Sequence, residues 1–165
     1  MPDVTHRFQL LPVLCILALA TSSSAQTIAI RLVNGDTGKP FTNQNVNVTF
    51  WWEDPASPNK DKRTEIGSQS GIDVYIDKTG IGHIEIPSKA TLLAVREGSK
   101  IGKEPDRIAY ADCNGQMPSL IPIADVLEHG FIPGNSCNKN LKVKVSPGEV
   151  VYLGKPIPWW MPDMQ

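Results

Sequence analysis

Short segments in which apolar and polar residues alternate constrain the fold of this chain more than any other feature. In the first of them, Ile28, Ile30 and Leu32 lie on one face and Arg31 on the other. Strict alternation over four to eight residues is typical of a β-strand with one buried face. The same reasoning predicts strands over residues 27–33, 46–52, 72–76, 81–86 and 141–145. Further short strand candidates are residues 91–95 and 107–111, and residues 150–153 supply a last strand after the turn at 146–148.

The segments between the predicted strands carry turn and helix signals. Turn-forming residues cluster at 34–40, 78–80 and 146–148, where glycine, proline and asparagine favour tight turns. The polar stretch 53–70 predicts a long loop. Ile123, Val126 and Leu127 have helical spacing and Gly130 follows as a stop signal, so one short helix is expected there.

This element pattern predicts an all-β fold. About seven short strands separated by turns are typical of an antiparallel β-sandwich, here with one short helix in the C-terminal part. Strands do not alternate with long helices, which argues against a parallel α/β sheet. There is no internal repeat, and residues 26–165 are expected to form a single domain of ordinary size.

The first 25 residues indicate export. Arg7 precedes an apolar run over residues 10–20, and small residues follow at 21–25. This layout is typical of a secretory signal peptide cleaved after Ala25, with an uncleaved N-terminal anchor as the alternative. The apolar run is about half the roughly 20 residues that a membrane-spanning helix needs. We therefore expect a secreted or periplasmic protein of the cell envelope, with no membrane span after cleavage.

Charge and cysteine content narrow the possible partners. The formal net charge is -1, which gives the chain no electrostatic reason to bind nucleic acid or an anionic membrane. Cys15 lies in the predicted signal peptide, so Cys113 and Cys137 remain. A pair of cysteines in an exported chain predicts a disulfide. Closing a loop of about 25 residues would stabilise the fold by roughly 3 to 4 kcal/mol.

The segment 28–98 resembles the carboxypeptidase regulatory-like domain, a transthyretin-like Greek-key β-sandwich. The resemblance depends on Thr37-Gly38-Lys39-Pro40 after the first strand and on Asp77-Lys78-Thr79-Gly80 ahead of Ile84-Glu85-Ile86-Pro87. The extension 99–165 is similar to short exported bacterial proteins of unknown function. The resemblance implies this fold, an accessory role in the envelope and no catalytic residues, whereas the long loop 53–70 leaves the pairing of the middle strands open.

No motif in the sequence predicts an enzyme, a metal site or a cofactor. The Gly-x-Ser-x-Gly elbow of hydrolases and the His-Glu-x-x-His motif of metallopeptidases are both absent. His83 is expected on a solvent-exposed strand face beside Glu85, and His129 in the last turn of the predicted helix, where a cation suits the helix dipole. An unrecognised envelope hydrolase remains the second alternative.

The tryptophans are the candidate binding residues. Neighbouring strand residues point to opposite faces, so we expect one of Trp51 and Trp52 in the core and the other outside. Trp159 and Trp160 lie in a proline-rich tail. Exposed rings here would dock a partner, and the alternative is that they cover an edge of the sandwich. Lys142 and Lys144 on the predicted strand 141–145 are expected to protect a sheet edge from unwanted pairing.

The sequence thus predicts an exported, non-enzymatic binding or structural module of the cell envelope, whose partner is an envelope protein or a glycan. The first alternative is a carbohydrate-binding protein that uses an exposed tryptophan.

Overall fold

Nine strands and one helix form the part of the chain that the computed structural model describes, namely residues 25–53, 63–66, 71–100, 110–114 and 120–157. The elements are β1 (Thr27–Asn34), β2 (Gln44–Glu53), β3 (Arg63–Ile66), β4 (Ile72–Ile76), β5 (Ile81–Glu85), β6 (Leu92–Lys100), β7 (Tyr110–Asp112), β8 (Ile121–Pro122), α1 (Ile123–His129) and β9 (Glu149–Pro156). The predicted signal peptide up to residue 24 and the tail tryptophans Trp159 and Trp160 lie outside the described residues.

The strands form two sheets, which confirms the predicted all-β, sandwich-like fold. The first sheet has the order β5-β1-β9-β7, and the second has the order β3-β2-β6-β8, with β4 also paired to β2. All pairings between these strands are antiparallel except that of β1 with β9, which is parallel from Ala29↔Glu149 to Asn34↔Gly154. An isolated parallel bridge also joins Phe131 to Val150. The predicted antiparallel arrangement is therefore found in every strand pair but that of β1 with β9. The chain crosses back over the first sheet before β9, so β9 enters beside β1 in the same direction.

The main core lies between the two sheets and is built from the apolar faces of the alternating strands. Its fully buried large side chains include Ile28, Ile30 and Leu32 of β1, Val46, Val48 and Phe50 of β2, and Tyr152 of β9. The predicted helix is confirmed as α1, which adds Ile123 and Val126 to this core. It ends at Gly130, whose φ is 73°, a backbone conformation that favours glycine. A Cβ at Gly130 would also lie 2.2 Å from the carbonyl oxygen of Ser146.

A second, smaller core lies on the opposite face of the first sheet. Val33, Val151 and Leu153 point outward from β1 and β9, and Cys113 is buried with them. Residues 131–146 cover this face, with Ile132, Cys137, Val143 and Val145 packed against it. The described structure is thus two sheets plus a third, irregular layer.

The prediction of a strand over residues 141–145 is wrong, although burial does alternate along this segment. Leu141, Val143 and Val145 are half-buried, whereas Lys142 and Lys144 are exposed, but this segment pairs with no strand of the described residues. Alternate side chains are buried because the segment lies across the outer face of a sheet. Lys142 and Lys144 consequently do not protect a sheet edge. We call residues 141–146 the arm.

The sequence pattern does not predict two of the observed strands, β3 and β8. The stretch 53–70, predicted as a loop, contains β3, whose four residues pair with the end of β2 from Phe50↔Ile66 to Glu53↔Arg63. The sequence of β3 is mostly polar and gives no alternation signal. The two-residue strand β8 is likewise too short to detect. No helix among the described residues has the length and apolar character needed to cross a membrane.

Candidate functional site

The two cysteines join the third layer to the first sheet. Cys113 directly follows β7 and is fully buried, and it is bonded to half-buried Cys137 with a Cα–Cα distance of 5.4 Å. The predicted pairing is thus present in the structure. Because β8 and α1 lie between the two cysteines, the bond closes a loop that includes the helix and the first half of the third layer.

Side-chain amides fix the same loop against the turn that follows β1. The Asn135 Nδ2 atom donates to the carbonyl oxygen of Gly35 at 2.6 Å. Its Oδ1 atom accepts from the backbone N–H of Cys137 at 3.0 Å and of Asn138 at 3.1 Å. The Asn138 Nδ2 atom donates to the carbonyl oxygen of Asp36 at 3.0 Å. These bonds hold the loop in one conformation in addition to the disulfide.

An ion pair fixes the far end of the arm. The Arg31 Nε atom lies 2.6 Å from Glu149 Oε1, and the two side chains are 26% and 12% exposed. The Glu149 Oε2 atom accepts from the Ser146 N–H at 2.9 Å, and the Arg31 Nη2 atom donates to the carbonyl oxygen of Lys144. The arm is therefore held at both ends, by the disulfide loop at one and by this pair at the other.

An open groove of about 650 Å³ lies between the arm and the disulfide loop. Its apolar lining comes from Ile132, Pro133, Leu141, Val143 and Leu153. Its polar lining includes Lys139 and Lys142, both exposed, and no acidic side chain of the described residues lines it. A concave, mostly apolar surface with a few polar groups is the usual character of a binding site.

The tryptophans of β2 do not separate as predicted. Trp51 and Trp52 are both half-buried, so neither is a core residue and neither is fully exposed. Strand β2 extends beyond the main core after Phe50, so both tryptophan rings lie at the margin of the sandwich beside β3. The Trp51 Nε1 atom is buried and has no hydrogen-bond partner in the described part of the chain. A half-buried ring offers less area for stacking on a sugar than the exposed ring that carbohydrate binding requires.

The histidines lie where the sequence predicts them. His83 is exposed on β5, as is Glu85, while Gly82 and Ile84 are buried. His129 ends α1 with its side chain 70% exposed, 3.6 Å from Glu128. Among the described residues, no three His, Cys, Asp or Glu side chains are grouped closely enough to hold a metal ion.

Comparison of the chain with protein-family models, curated proteins and solved structures finds no match. The geometry of the groove is therefore the main guide to function. Sequence reasoning singled out Cys137 and Lys142 at this place but missed the groove itself. The density of asparagines around Cys137, at 135, 138 and 140, was the available signal, because asparagine side chains often fix irregular loops through backbone bonds.

Proposed function

We propose that this chain is an exported, non-enzymatic binding module of the cell envelope that recognises a partner protein through the groove between the arm and the disulfide loop. The observation that carries the proposal is the groove itself, which is open, mostly apolar and fixed by covalent and hydrogen bonds outside the main core. A transthyretin-like, Greek-key topology is part of the proposal. It is supported by the position of Thr37-Gly38-Lys39-Pro40 in the turn between β1 and β2.

The disulfide supports the exported location. Disulfides persist in secreted and periplasmic proteins and are rare in the reducing cytosol. Here the bonded Cys113 is fully buried, and the bond positions the loop that lines the groove. A chain kept in the cytosol would lose this constraint, and with it the groove geometry.

The rigidity of the groove supports recognition rather than a purely structural role. Binding surfaces that are held in their bound shape lose less conformational entropy on association. The disulfide and the Asn135 bonds fix the disulfide loop, and the Arg31–Glu149 pair fixes the far end of the arm, so both segments that form the groove are held in place. A segment that only covered the outer face of the first sheet would need neither an open groove nor exposed lysines at its rim.

Site-specific photocrosslinking in the native organism tests the proposal. A photoreactive amino acid replaces Lys142 at the groove or, as the control, Lys78, an exposed lysine in the turn between β4 and β5. We expect a discrete crosslinked partner from the groove position only, in protein whose N-terminal residue is Gln26. Crosslinking that is equal at both positions, or present only at Lys78, would contradict the proposal. Recovery from the cytosol would contradict the exported location.

A further inference from the structure

The backbone of the arm has N–H groups without a hydrogen-bond partner in the described part of the chain. Arg31 donates to the Lys144 carbonyl and Glu149 accepts from the Ser146 N–H. Between these contacts and the disulfide loop, the N–H groups of residues 142–145 have no partner among the described residues. An extended row of unpaired backbone groups is the feature to which another strand adds.

The open backbone groups of every second residue of the arm point away from β1. Burial alternates residue by residue along the arm, which indicates an extended backbone. In such a backbone the N–H and C=O groups of neighbouring residues point to opposite sides. Because the Lys144 carbonyl faces Arg31 on β1, the backbone groups of Val143 and Val145 point the other way. At Val143 that side is the groove, which Val143 of the arm and Leu153 of β9 both line. Val145 lies just beyond the lining, where a strand that continues along the arm would reach it.

The charge of the rim specifies the chemistry of the added strand. Lys139 and Lys142 are exposed and form no ion pair within the described residues. Opposite charges on facing strands stabilise their pairing, whereas like charges destabilise it. A strand in the groove would turn alternate side chains outward beside the lysines and the others inward onto Leu153. Acidic residues suit the outward positions and apolar residues the inward ones.

We propose that the groove binds an extended peptide segment of a partner protein, with alternating acidic and apolar residues, which adds as a strand along the arm. This inference rests on the proposed function and names the partner class for the same site. It differs from docking of a folded surface because backbone hydrogen bonds to Val143 and Val145 hold the peptide.

Fluorescence polarisation with designed decapeptides tests the inference on the oxidised chain 26–165. The probe alternates Glu and Val, and a control peptide of the same composition groups five Glu before five Val. The protein variant K139E/K142E changes the groove rim. The matched control K78E/K89E changes the net charge by the same amount at two exposed lysines outside the groove lining. Circular dichroism checks that both variants are folded.

We expect the alternating peptide to bind at least tenfold more tightly than the block peptide. K139E/K142E should weaken binding at least tenfold, and K78E/K89E less than twofold. Two further peptides carry N-methyl groups on every second amide, at the odd positions in one and at the even positions in the other. One of them should not bind and the other should bind normally, since only every second amide of the peptide faces the arm. Equal binding of both peptides, equal tolerance of both methylation phases, or unchanged binding to K139E/K142E would overturn the inference.

The two proposals fail in different ways. Absence of peptide binding together with a discrete crosslinked partner at position 142 would overturn the strand-addition inference and leave the groove as a site for a folded partner. Absence of both would overturn the proposed function as well.

Discussion

The disulfide offers the sharpest stability prediction, because its contribution follows from the chain it encloses. Cys113 and Cys137 are 24 residues apart in sequence. In the chain-entropy model, closing a loop of this length stabilises the folded state by about 3.5 kcal/mol at 25 °C. Replacing both cysteines with alanine should lower the free energy of unfolding by that amount. Loss of the sulfur atom of the buried Cys113 adds roughly 1 kcal/mol for the space it leaves.

Equilibrium urea unfolding measures this loss, and a reduced sample separates its two parts. Unaltered protein in excess reductant lacks the cross-link but keeps both sulfur atoms, so it should lose only the entropic part. With an m-value of about 2 kcal/mol/M, the urea midpoint should fall by roughly 2 M. A loss below about 1 kcal/mol in both samples would show that the cross-link removes little conformational freedom from the unfolded chain, and that the entropic stabilisation is absent.

Three further perturbations test other parts of the structure. In a double-mutant cycle of R31M and E149Q, the coupling free energy should be about 1–2 kcal/mol, between the values of exposed and buried pairs, and a coupling near zero would show that the pair does not hold the arm. G82A should destabilise the fold by about 1–3 kcal/mol on thermal unfolding, because the added Cβ would lie 2.5 Å from a backbone oxygen of β4; an unchanged melting temperature would contradict this packing. Hydrogen bonds from the Thr79 side chain and backbone hold the pKa of Asp77 below its ordinary value. The contribution of Asp77 to stability is therefore complete above the pKa of an unfolded aspartate and is lost as the pH falls through the lower folded value. D77N should flatten the pH dependence of stability in that acidic range, and identical pH profiles for the two proteins would exclude this role.

The sequence predicts the strands whose alternation reports burial against the main core. β1, β4 and β5 are found within a residue or so of their expected bounds. In each strand, buried apolar residues of the main core alternate with residues that are mostly less buried. The helix is found because the apolar residues at 123, 126 and 127 have helical spacing and Gly130 adopts the positive φ that ends it.

The arm shows why the same signal can mislead. Periodicity reports which side of an extended segment is covered, and it does not report whether the backbone is paired with a neighbouring strand. Residues 141–145 alternate as strictly as β4, yet they lie across a sheet instead of joining one. The parallel pairing of β1 with β9 is equally invisible in sequence, since it depends on contacts between residues more than 100 positions apart.

The groove could not be predicted because no single segment contains it. Its lining combines residues 132–136, 139 and 141–143 with Leu153 of β9. The disulfide and the bonds of Asn135 bring these parts together. The prediction that one of Trp51 and Trp52 is buried in the core and the other exposed failed for a different reason. Alternation along a strand predicts the face to which a side chain points, but not how deeply it is buried, and β2 extends past the main core at these residues.

Residue-resolved amide hydrogen exchange by NMR, on the oxidised chain with and without the alternating Glu-Val decapeptide, reports whether a peptide strand pairs with the backbone of the arm. In the free protein the amides of residues 142–145 should exchange rapidly, since they have no partner in the described structure, while those of β9 should be slow. Added peptide should slow the amides of Val143 and Val145 and leave those of Lys142 and Lys144 fast. Slow exchange along 142–145 in the free protein, or no change at Val143 and Val145 when the peptide is present, would contradict the account.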